Sequence, residues 1–453
     1  MMYTPHSFDV GSGVEDIMMR FSVERSGSPG ILFGTATSQR RGLAAVLLVF
    51  CFAGSHPRLL PGVEGNSQVL NGIDVLRQQK FADLAGKRIG LVTNQTGLAG
   101  DGTATIDLLY RSGASELLAL FYPPGEHGLV ALFSPEHGIR GVMDSKVKSS
   151  IDESTGLPIY SLYGNSVRPS QEQLRGIDAL VFDIQDIGAR FYTYATTMGY
   201  CMEEAAKAGV PFYVLDRPNP IGGMKVEGPM LDADKTSFTA YMPLPIRHGM
   251  TLGELAKYFN VENKIGVDLH VIQMTGWQRN YYFYDTGQLW VNPSPNMRNW
   301  VAAILYPGVC LLEGTNVSVG RGTDTPFEIV GAPWVEPRKF AAALNAAAVP
   351  GIKFVPVFFT PNSSTNQGRK CGGVNLVLTD NEKFHSVLAG LTLISVLHRL
   401  YRNEFEVGNV MQLLGSEEAF KALESGKSPA SVLQADDPGL QEFLHKRQKA
   451  LIY

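Results

Sequence analysis

Short apolar runs alternate with helix-like stretches between residues 88 and 215, and this alternation constrains the fold more than any other feature of the sequence. Strand-like runs this short, separated by helices, are typical of parallel βαβ units. The first half of the chain is therefore predicted to form a layered α/β domain. The predicted strands are Arg88–Val92, Leu117–Phe121, Leu129–Phe133, Ala179–Phe182 and Pro211–Leu215, and the predicted helices are Ala104–Tyr110 and Ala195–Ala208.

The second half has a different pattern, with fewer strands and a long helix near residues 383–401. Capping boxes at Ser170–Gln173 and Thr251–Glu254 indicate helix starts on either side of the change. We place a domain boundary near residue 245. The predicted organisation is then a leader of residues 1–68 followed by domains of residues 69–245 and 246–453. Predicted strands in the second half are Leu269–Met274, Phe354–Phe359 and Val374–Leu378.

The leader contains an apolar run at Gly42–Gly54 that follows Arg40 and Arg41. A positive flank, a short apolar segment and small residues after it are the layout of a secretory signal. The run is too short to span a bilayer comfortably, which takes about 20 residues. We expect export to the periplasm or the extracellular space, with Met18 and Met19 as alternative starts. No stable membrane insertion of the mature chain is expected.

Composition and missing motifs exclude several classes of function. The formal net charge of −4 gives no basic field, which argues against nucleic acid as a partner. The four cysteines lie far apart, without the paired spacing of a zinc site or a disulfide framework. No dinucleotide-binding glycine motif, phosphate loop or Gly-x-Ser-x-Gly nucleophile motif is present. We therefore expect no cofactor and no metal.

Polar side chains directly follow four of the predicted strands. These residues are Asn94, Glu136, Asp183 and Asp216. Ligands of open parallel sheets bind outside the carboxyl ends of the strands. The four side chains, three of them carboxylates, are therefore predicted to converge on one edge of the sheet.

The stretches around these residues mix carboxylates with amides, arginines and tyrosines. Such a mixture suits a sugar, because hydroxyl groups need both donors and acceptors. Tyr192 and Tyr194 are candidates to line the sugar site, although core packing explains both equally well. His137 is predicted to be catalytic or to contact substrate, with a structural hydrogen bond as the alternative. The predicted substrate-binding residues are Asn94, Gln185, Arg190, Tyr192, Arg217, Asn219, Glu313, Asn316, Arg321 and Thr323.

Six motifs are spread over both halves of the chain: Gly72–Val75, Gly90–Gly97, Ser134–Gly138, Phe182–Arg190, Leu215–Gly223 and Glu313–Asn316. Together they resemble the NamZ-type exo-β-N-acetylmuramidases, from about residue 70 to residue 453. The resemblance implies a Rossmann-like N-terminal domain, a smaller α+β C-terminal domain and an active site in the cleft between them. It also implies release of terminal N-acetylmuramic acid (MurNAc) from the non-reducing end of peptidoglycan fragments, with the catalytic glutamate at Glu136.

One segment departs from the family pattern, because it occurs twice. Residues 119–128 read Ala-Leu-Phe-Tyr-Pro-Pro-Gly-Glu-His-Gly, and residues 131–138 read Ala-Leu-Phe-Ser-Pro-Glu-His-Gly. Only one copy can occupy the strand and the loop that follows it. We favour the second copy, and hence Glu136, because Gly138-Ile-Arg-Gly141 follows it as in the family motif; Glu126 is the alternative.

Glycosidases commonly use two carboxyl groups, of which one donates a proton to the leaving oxygen. Glu136 is the candidate acid. The second group is Asp183, Asp186, Asp216 or the 2-acetamido group of the substrate.

Three arginines, Arg190, Arg217 and Arg321, are candidates to bind the lactyl carboxylate of MurNAc, since a guanidinium fork matches its two oxygens. Two other function classes stay open at this point. One is a non-catalytic muropeptide-binding protein or a homologue inactivated by the duplication, and the other is a metal-dependent phosphatase or esterase.

Overall fold

A computed structural model of the chain describes residues 69–112, 128–139, 149–408, 410–434 and 437–453. The signal-like run at Gly42–Gly54, the predicted strand Leu117–Phe121 and Glu126 lie outside these residues.

A seven-stranded sheet organises the first half of the described chain, in the order β3-β4-β2-β1-β5-β6-β9. Neighbouring strands from β4 to β9 run parallel, and β3 pairs antiparallel with β4 at one edge. The last strand, β9, comes from residues after the predicted boundary at residue 245. The strands are β1 Arg88–Thr93, β2 Gly128–Ser134, β3 Ser150–Ile151, β4 Pro158–Ser161, β5 Ala179–Asp183, β6 Phe212–Leu215, β7 Glu227–Met230, β8 Pro245–Arg247 and β9 Leu269–Ile272. Strands β7 and β8 form a separate antiparallel pair.

Both faces of the sheet are buried at its central strands β1, β2, β5 and β6, which is why these strands are continuous apolar runs. Along β5, Leu180 and Phe182 pack into one core cluster, whereas Ala179 and Val181 pack into the cluster on the other face. The flanking helices are α1 Gly72–Gln78, α2 Thr105–Ser112, α3 Gln171–Leu174, α4 Thr193–Ala208 and α5 Leu252–Glu262. Both predicted capping boxes are present, at the starts of α3 and α5.

The second half contains a small antiparallel sheet in the order β10-β12-β11. Its strands are β10 Ile329–Ala332, β11 Ile352–Phe359 and β12 Cys371–Leu378. Helices α6 Trp300–Val309, α7 Pro337–Ala346 and α8 Ser386–Leu400 pack with it, followed by α9 Val410–Leu414, α10 Glu417–Glu424, α11 Pro429–Leu433 and α12 Pro438–Ala450. The predicted fold class, a parallel α/β sheet with a smaller α+β part, is confirmed.

The second copy of the duplicated segment forms β2, which lies between β1 and β4. Glu136 therefore follows a strand at the carboxyl edge of the sheet, as predicted. Among the described residues, no helix is long and apolar enough to span a bilayer.

Candidate active site

A cavity of about 450 Å³ lies at the carboxyl edge of the large sheet. Its walls come from the loop after β2, the start of α4 and the segment that follows α6. Six of the residues predicted to act in catalysis or substrate binding line this cavity: Glu136, His137, Tyr192, Tyr194, Glu313 and Arg321. The structure therefore unites residues from both halves of the chain in one site.

Glu136 is held by the first turn of α4. Its Oε2 accepts a hydrogen bond of 2.6 Å from the Thr193 hydroxyl. The backbone turns sharply after this glutamate, because His137 and Gly138 both have positive φ angles, of 72° and 80°. A carboxylate beside a helix N-terminus interacts favourably with the helix dipole. Glu136 lines the cavity, where its side chain is partly exposed.

Aromatic rings form one wall of the cavity. Tyr192 packs edge-to-face against Tyr194 and Tyr306, with ring centroids 5.1 and 5.8 Å apart. Tyr306 in turn packs against Phe191 and Phe327, at 5.5 and 4.7 Å. Burial raises the pKa of the Tyr192 hydroxyl above its ordinary value. These rings give the cavity an apolar wall.

An ion pair from the second half of the chain forms a polar part of the lining beside these rings. Arg321 Nε donates to Glu313 Oε1. Cys310 lies three residues before Glu313, and its thiol donates to Glu313 Oε2 at 3.2 Å. Burial raises the pKa of this thiol well above its ordinary value, so it remains a donor. Both carboxylate oxygens of Glu313 are thus engaged within the protein.

A tight turn places Arg321 in the cavity. Gly320 and Gly322 flank it with φ angles of +82° and +79°, which most other residues adopt only with strain. A Cβ atom on Gly322 would lie 2.4 Å from the backbone nitrogen of Ser363. Thr323, predicted to bind substrate, closes this turn with a hydroxyl that donates to the Gly320 carbonyl at 2.7 Å.

Asp183 and Asp216 lie at the predicted edge but are enclosed by protein partners. Asp183 accepts two hydrogen bonds from Arg217, at 2.5 and 2.9 Å, and another from Thr105. Asp216 accepts from the Tyr453 and Thr251 hydroxyls, both at 2.7 Å. Both aspartates have no exposed surface. The structure therefore does not bring these two aspartates, or Arg217, to the cavity.

Five other predicted substrate-binding residues also have structural partners and do not line the cavity. The side-chain Oδ1 of Asn94 accepts hydrogen bonds from the backbone nitrogen and the hydroxyl of Thr96. The Asn316 side chain bonds to the backbone of Glu404 and Glu406. The side chains of the remaining three, Gln185, Arg190 and Asn219, donate to backbone carbonyls.

Asp186 occupies a buried position in the loop after β5. Its Oδ2 accepts a hydrogen bond of 2.8 Å from the Gly188 backbone, and its Oδ1 has no partner among the described residues. Burial raises the pKa of this carboxyl to about 7. It does not line the cavity, but it lies close enough to Tyr192 to raise the pKa of that hydroxyl.

Sequence reasoning missed several polar residues that line the cavity. These are Thr193, Thr239, Ser294, Asn296, Ser363 and Ser364. Ser294 and Asn296 lie in the proline-rich Asn292–Arg298 segment, where alternation of proline with polar residues is a usable signal. The others have no local motif. Among the described residues, no group of three or more His, Cys, Asp or Glu side chains is placed to hold a metal ion.

Two family models and one relative of similar sequence name the same family. The chain matches the model described as "Exo-beta-N-acetylmuramidase NamZ, N-terminal" over residues 89–301 and its C-terminal counterpart over residues 304–453. It is 44% identical over 391 residues to the peptidoglycan beta-N-acetylmuramidase NamZ of Bacillus subtilis, a match that covers 85% of this chain and 92% of the relative.

Two crystal structures of DUF1343 family proteins from Bacteroides fragilis are also similar. Their TM-scores are 0.77 and 0.68, at 35% and 33% identity. Each match covers 85% of this chain and 99% of the solved one. The chain belongs to the exo-β-N-acetylmuramidase NamZ family.

Proposed function

We propose that this protein is an exo-acting glycoside hydrolase that releases terminal MurNAc from the non-reducing end of peptidoglycan fragments. The observation that carries the proposal is the position of Glu136, held by Thr193 in the lining of a cavity with aromatic rings on one wall. The 44% identity to a relative named for this activity supports the same conclusion.

Glu136 is the proposed catalytic acid. A general acid must reach the leaving oxygen of the glycosidic bond. Glu136 has this access because its side chain is partly exposed at the cavity. Its Oε2 accepts the Thr193 hydrogen bond, which leaves Oε1 to carry and deliver the proton.

The second catalytic group is proposed to be the 2-acetamido group of the substrate. Glu313 is the other carboxylate of the described cavity lining, and both of its oxygens are engaged by Arg321 and Cys310. Some glycosidases use the substrate acetamido group as nucleophile, so that one protein acid suffices at the leaving group. Successive fluorination of this acetamido group should then lower kcat steeply, because its oxygen becomes a weaker nucleophile. A rate that does not respond to fluorination would contradict this assignment.

The function is tested with two substrates and one variant. We expect the protein to release MurNAc from a MurNAc-GlcNAc disaccharide and from a 4-nitrophenyl β-MurNAc glycoside, and to leave GlcNAc-MurNAc intact. Glu136→Gln should lower disaccharide hydrolysis by about 100-fold or more, as expected for loss of an acid. Hydrolysis of the nitrophenyl glycoside by the same variant should fall less, because its leaving group departs without protonation.

Glu172→Gln is the matched control, since Glu172 is an exposed glutamate on α3. It should leave both rates unchanged. Cleavage of GlcNAc-MurNAc would contradict the proposed specificity for a terminal MurNAc. Saturable binding of MurNAc-GlcNAc without turnover would instead favour the binding-protein alternative.

We also propose that the protein is exported. The support is the Arg40, Arg41 and Gly42–Gly54 arrangement in the sequence, together with a proposed substrate that lies outside the cytoplasmic membrane. Fractionation of cells that express the full chain should place a shortened protein outside the cytoplasm. An intact N-terminus on a protein confined to the cytoplasm would contradict this proposal.

A further inference from the structure

The substrate of the proposed reaction carries a negative charge that ordinary N-acetylhexosamines lack. MurNAc differs from N-acetylglucosamine (GlcNAc) by a lactyl ether at O3, which ends in a carboxylate. A site that selects MurNAc therefore needs a cation with donors free to meet two oxygens, and an arginine fork provides this geometry.

Two of the three candidate arginines are already committed to structural partners. Arg190 donates to the carbonyl oxygens of Leu244 and Leu413, at 2.8 and 2.6 Å. Arg217 makes its paired hydrogen bonds to Asp183. These two arginines are only 3% and 5% exposed, and neither lines the cavity.

Arg321 differs from both in exposure and in free donors. Within the described cavity lining it is the one lysine or arginine. Its Nε is used by Glu313, and no described residue accepts a hydrogen bond from either Nη group. About a third of its side chain, 32%, is exposed.

The neighbours of Arg321 fix its orientation without using its outer donors. Glu313 holds the Nε edge, and the guanidinium carbon lies 5.3 Å from the centre of the Phe327 ring. Gly320 and Gly322, which both have a left-handed backbone conformation, fix the backbone on either side of Arg321. A guanidinium that is already oriented loses less entropy when it binds a carboxylate.

We propose that Arg321 is the specificity-determining residue of the site, and that its two Nη groups bind the lactyl carboxylate of MurNAc. Glu313 is the positioning residue that holds the guanidinium. This inference rests on the proposed function, but its test measures the preference for MurNAc over GlcNAc rather than turnover alone.

The experiment compares the affinities for free MurNAc and free GlcNAc, measured by calorimetry, in the wild-type protein and in Arg321→Gln. Loss of a charge-assisted hydrogen-bonded pair should weaken MurNAc binding by about 10- to 100-fold. GlcNAc binding should change less than about threefold, since GlcNAc has no carboxylate to lose a partner. The preference for MurNAc should therefore collapse.

Two further variants keep the test decisive. Arg321→Lys keeps the positive charge but not the guanidinium fork, so its preference for MurNAc over GlcNAc should be intermediate. This variant keeps the test informative if Arg321→Gln folds poorly. Arg298→Gln removes an exposed arginine that pairs with Asp324 outside the cavity, and it should retain the wild-type preference.

An unchanged MurNAc preference in Arg321→Gln and Arg321→Lys would overturn the inference. An equal loss of both sugars in a folded variant would also overturn it, because that result indicates a structural role. If the wild-type protein binds MurNAc preferentially but does not hydrolyse its glycosides, the proposed function fails while the assignment of Arg321 stands.

Discussion

At the scale of single residues, the site depends on a few short hydrogen bonds to carboxylates. The bond from Thr193 to Glu136 joins the first turn of α4 to the loop after β2. Because it holds one oxygen of the proposed acid, it restricts the rotamers that Glu136 can adopt. A small change at position 193 should therefore alter catalysis more than stability.

The first prediction concerns this bond. Thr193→Val keeps the shape of the side chain and removes the donor, which is worth roughly 1 kcal/mol, or about a fivefold change. We expect kcat for MurNAc-GlcNAc to fall by about this factor, with KM nearly unchanged and the unfolding temperature lowered by only a few degrees. Thr193→Ser, which keeps the hydroxyl, should retain most of the rate. Equal rates in the valine and serine variants would show that the bond has no role in catalysis.

The second prediction concerns the pH dependence of stability. Burial raises the pKa of Asp186 to about 7, so the folded protein holds this proton more tightly than the unfolded chain, with its ordinary value of 3.8. The stability that this group contributes is fully present below about pH 4 and is lost as pH rises to about 7. Asp186→Asn cannot titrate. Its unfolding free energy, relative to wild type, should therefore rise across this window by up to about 1.4 kcal/mol per pH unit.

Urea unfolding of wild type and Asp186→Asn at several pH values measures this difference. The matched control is Asp324→Asn, because Asp324 is fully exposed. Its difference from wild type should show little dependence on pH. If the Asp186→Asn curve runs parallel to wild type between pH 4 and pH 7, burial does not perturb this carboxyl.

At the scale of structural elements, loops of unusual backbone geometry place the side chains of the cavity. Strands and helices bring the loops to the carboxyl edge of the sheet, but the direction of each side chain depends on local φ angles. His137 and Gly138 redirect the chain after β2, and Gly320 and Gly322 do so around Arg321. Substitution of a glycine in the second loop should therefore affect both folding and ligand affinity.

The third prediction tests that loop. Gly322→Ala places a Cβ atom 2.4 Å from the Ser363 nitrogen at a φ of +79°, so the loop must move. We expect a loss of about 1–3 kcal/mol in unfolding free energy, the usual range for strained backbone positions. MurNAc affinity should fall as Arg321 is displaced.

Gly368→Ala is the control for Gly322→Ala. Its φ is +70°, but nothing lies within 4 Å of the added Cβ atom. Gly368→Ala should lower the unfolding free energy only by the cost of a left-handed alanine, about 1 kcal/mol. It should bind MurNAc as tightly as the wild-type protein does. Equal losses of affinity in the two variants would contradict a specific role for the Gly320–Gly322 turn.

At the scale of the whole molecule, the sequence predicted the sheet better than the site. The hydrophobic period and the length of each apolar run identify β1, β2, β5 and β6, because both properties depend on residues that are neighbours in the chain. The same pattern placed Asn94, Glu136, Asp183 and Asp216 at the carboxyl edge. It could not predict which of them faces the cavity.

That distinction depends on contacts between residues far apart in the sequence. Arg217 lies 34 residues from Asp183, and Tyr453 lies 237 residues from Asp216. The hydrophobic pattern of the sequence carries no information on these distant partners, which enclose two of the carboxylates. The cavity lining from Tyr306 and Ser363 was missed for the same reason, since their positions depend on how the second half packs against the sheet.

The last prediction concerns the connection between the sheet and the C-terminal helices. Arg190 follows β5 and donates to the carbonyl oxygens of Leu413 and Leu414 in α9, at 2.6 and 2.9 Å, and to that of Leu244. Leu413 itself lines the cavity. The Leu244 carbonyl keeps a bond from the Leu231 backbone, but the carbonyls of Leu413 and Leu414 lose the Arg190 donor. Loss of a partner costs about 1–3 kcal/mol for a single buried group.

Arg190→Met should therefore lower the unfolding free energy by about 2–4 kcal/mol, less than a simple sum because the helix can shift toward other donors. Arg402→Met, at an exposed position, should change it by less than about 0.5 kcal/mol. MurNAc affinity should also fall in Arg190→Met, because movement of α9 reshapes the wall that contains Leu413. Reduced stability with unchanged affinity would show that the two halves hold the cavity independently of this arginine.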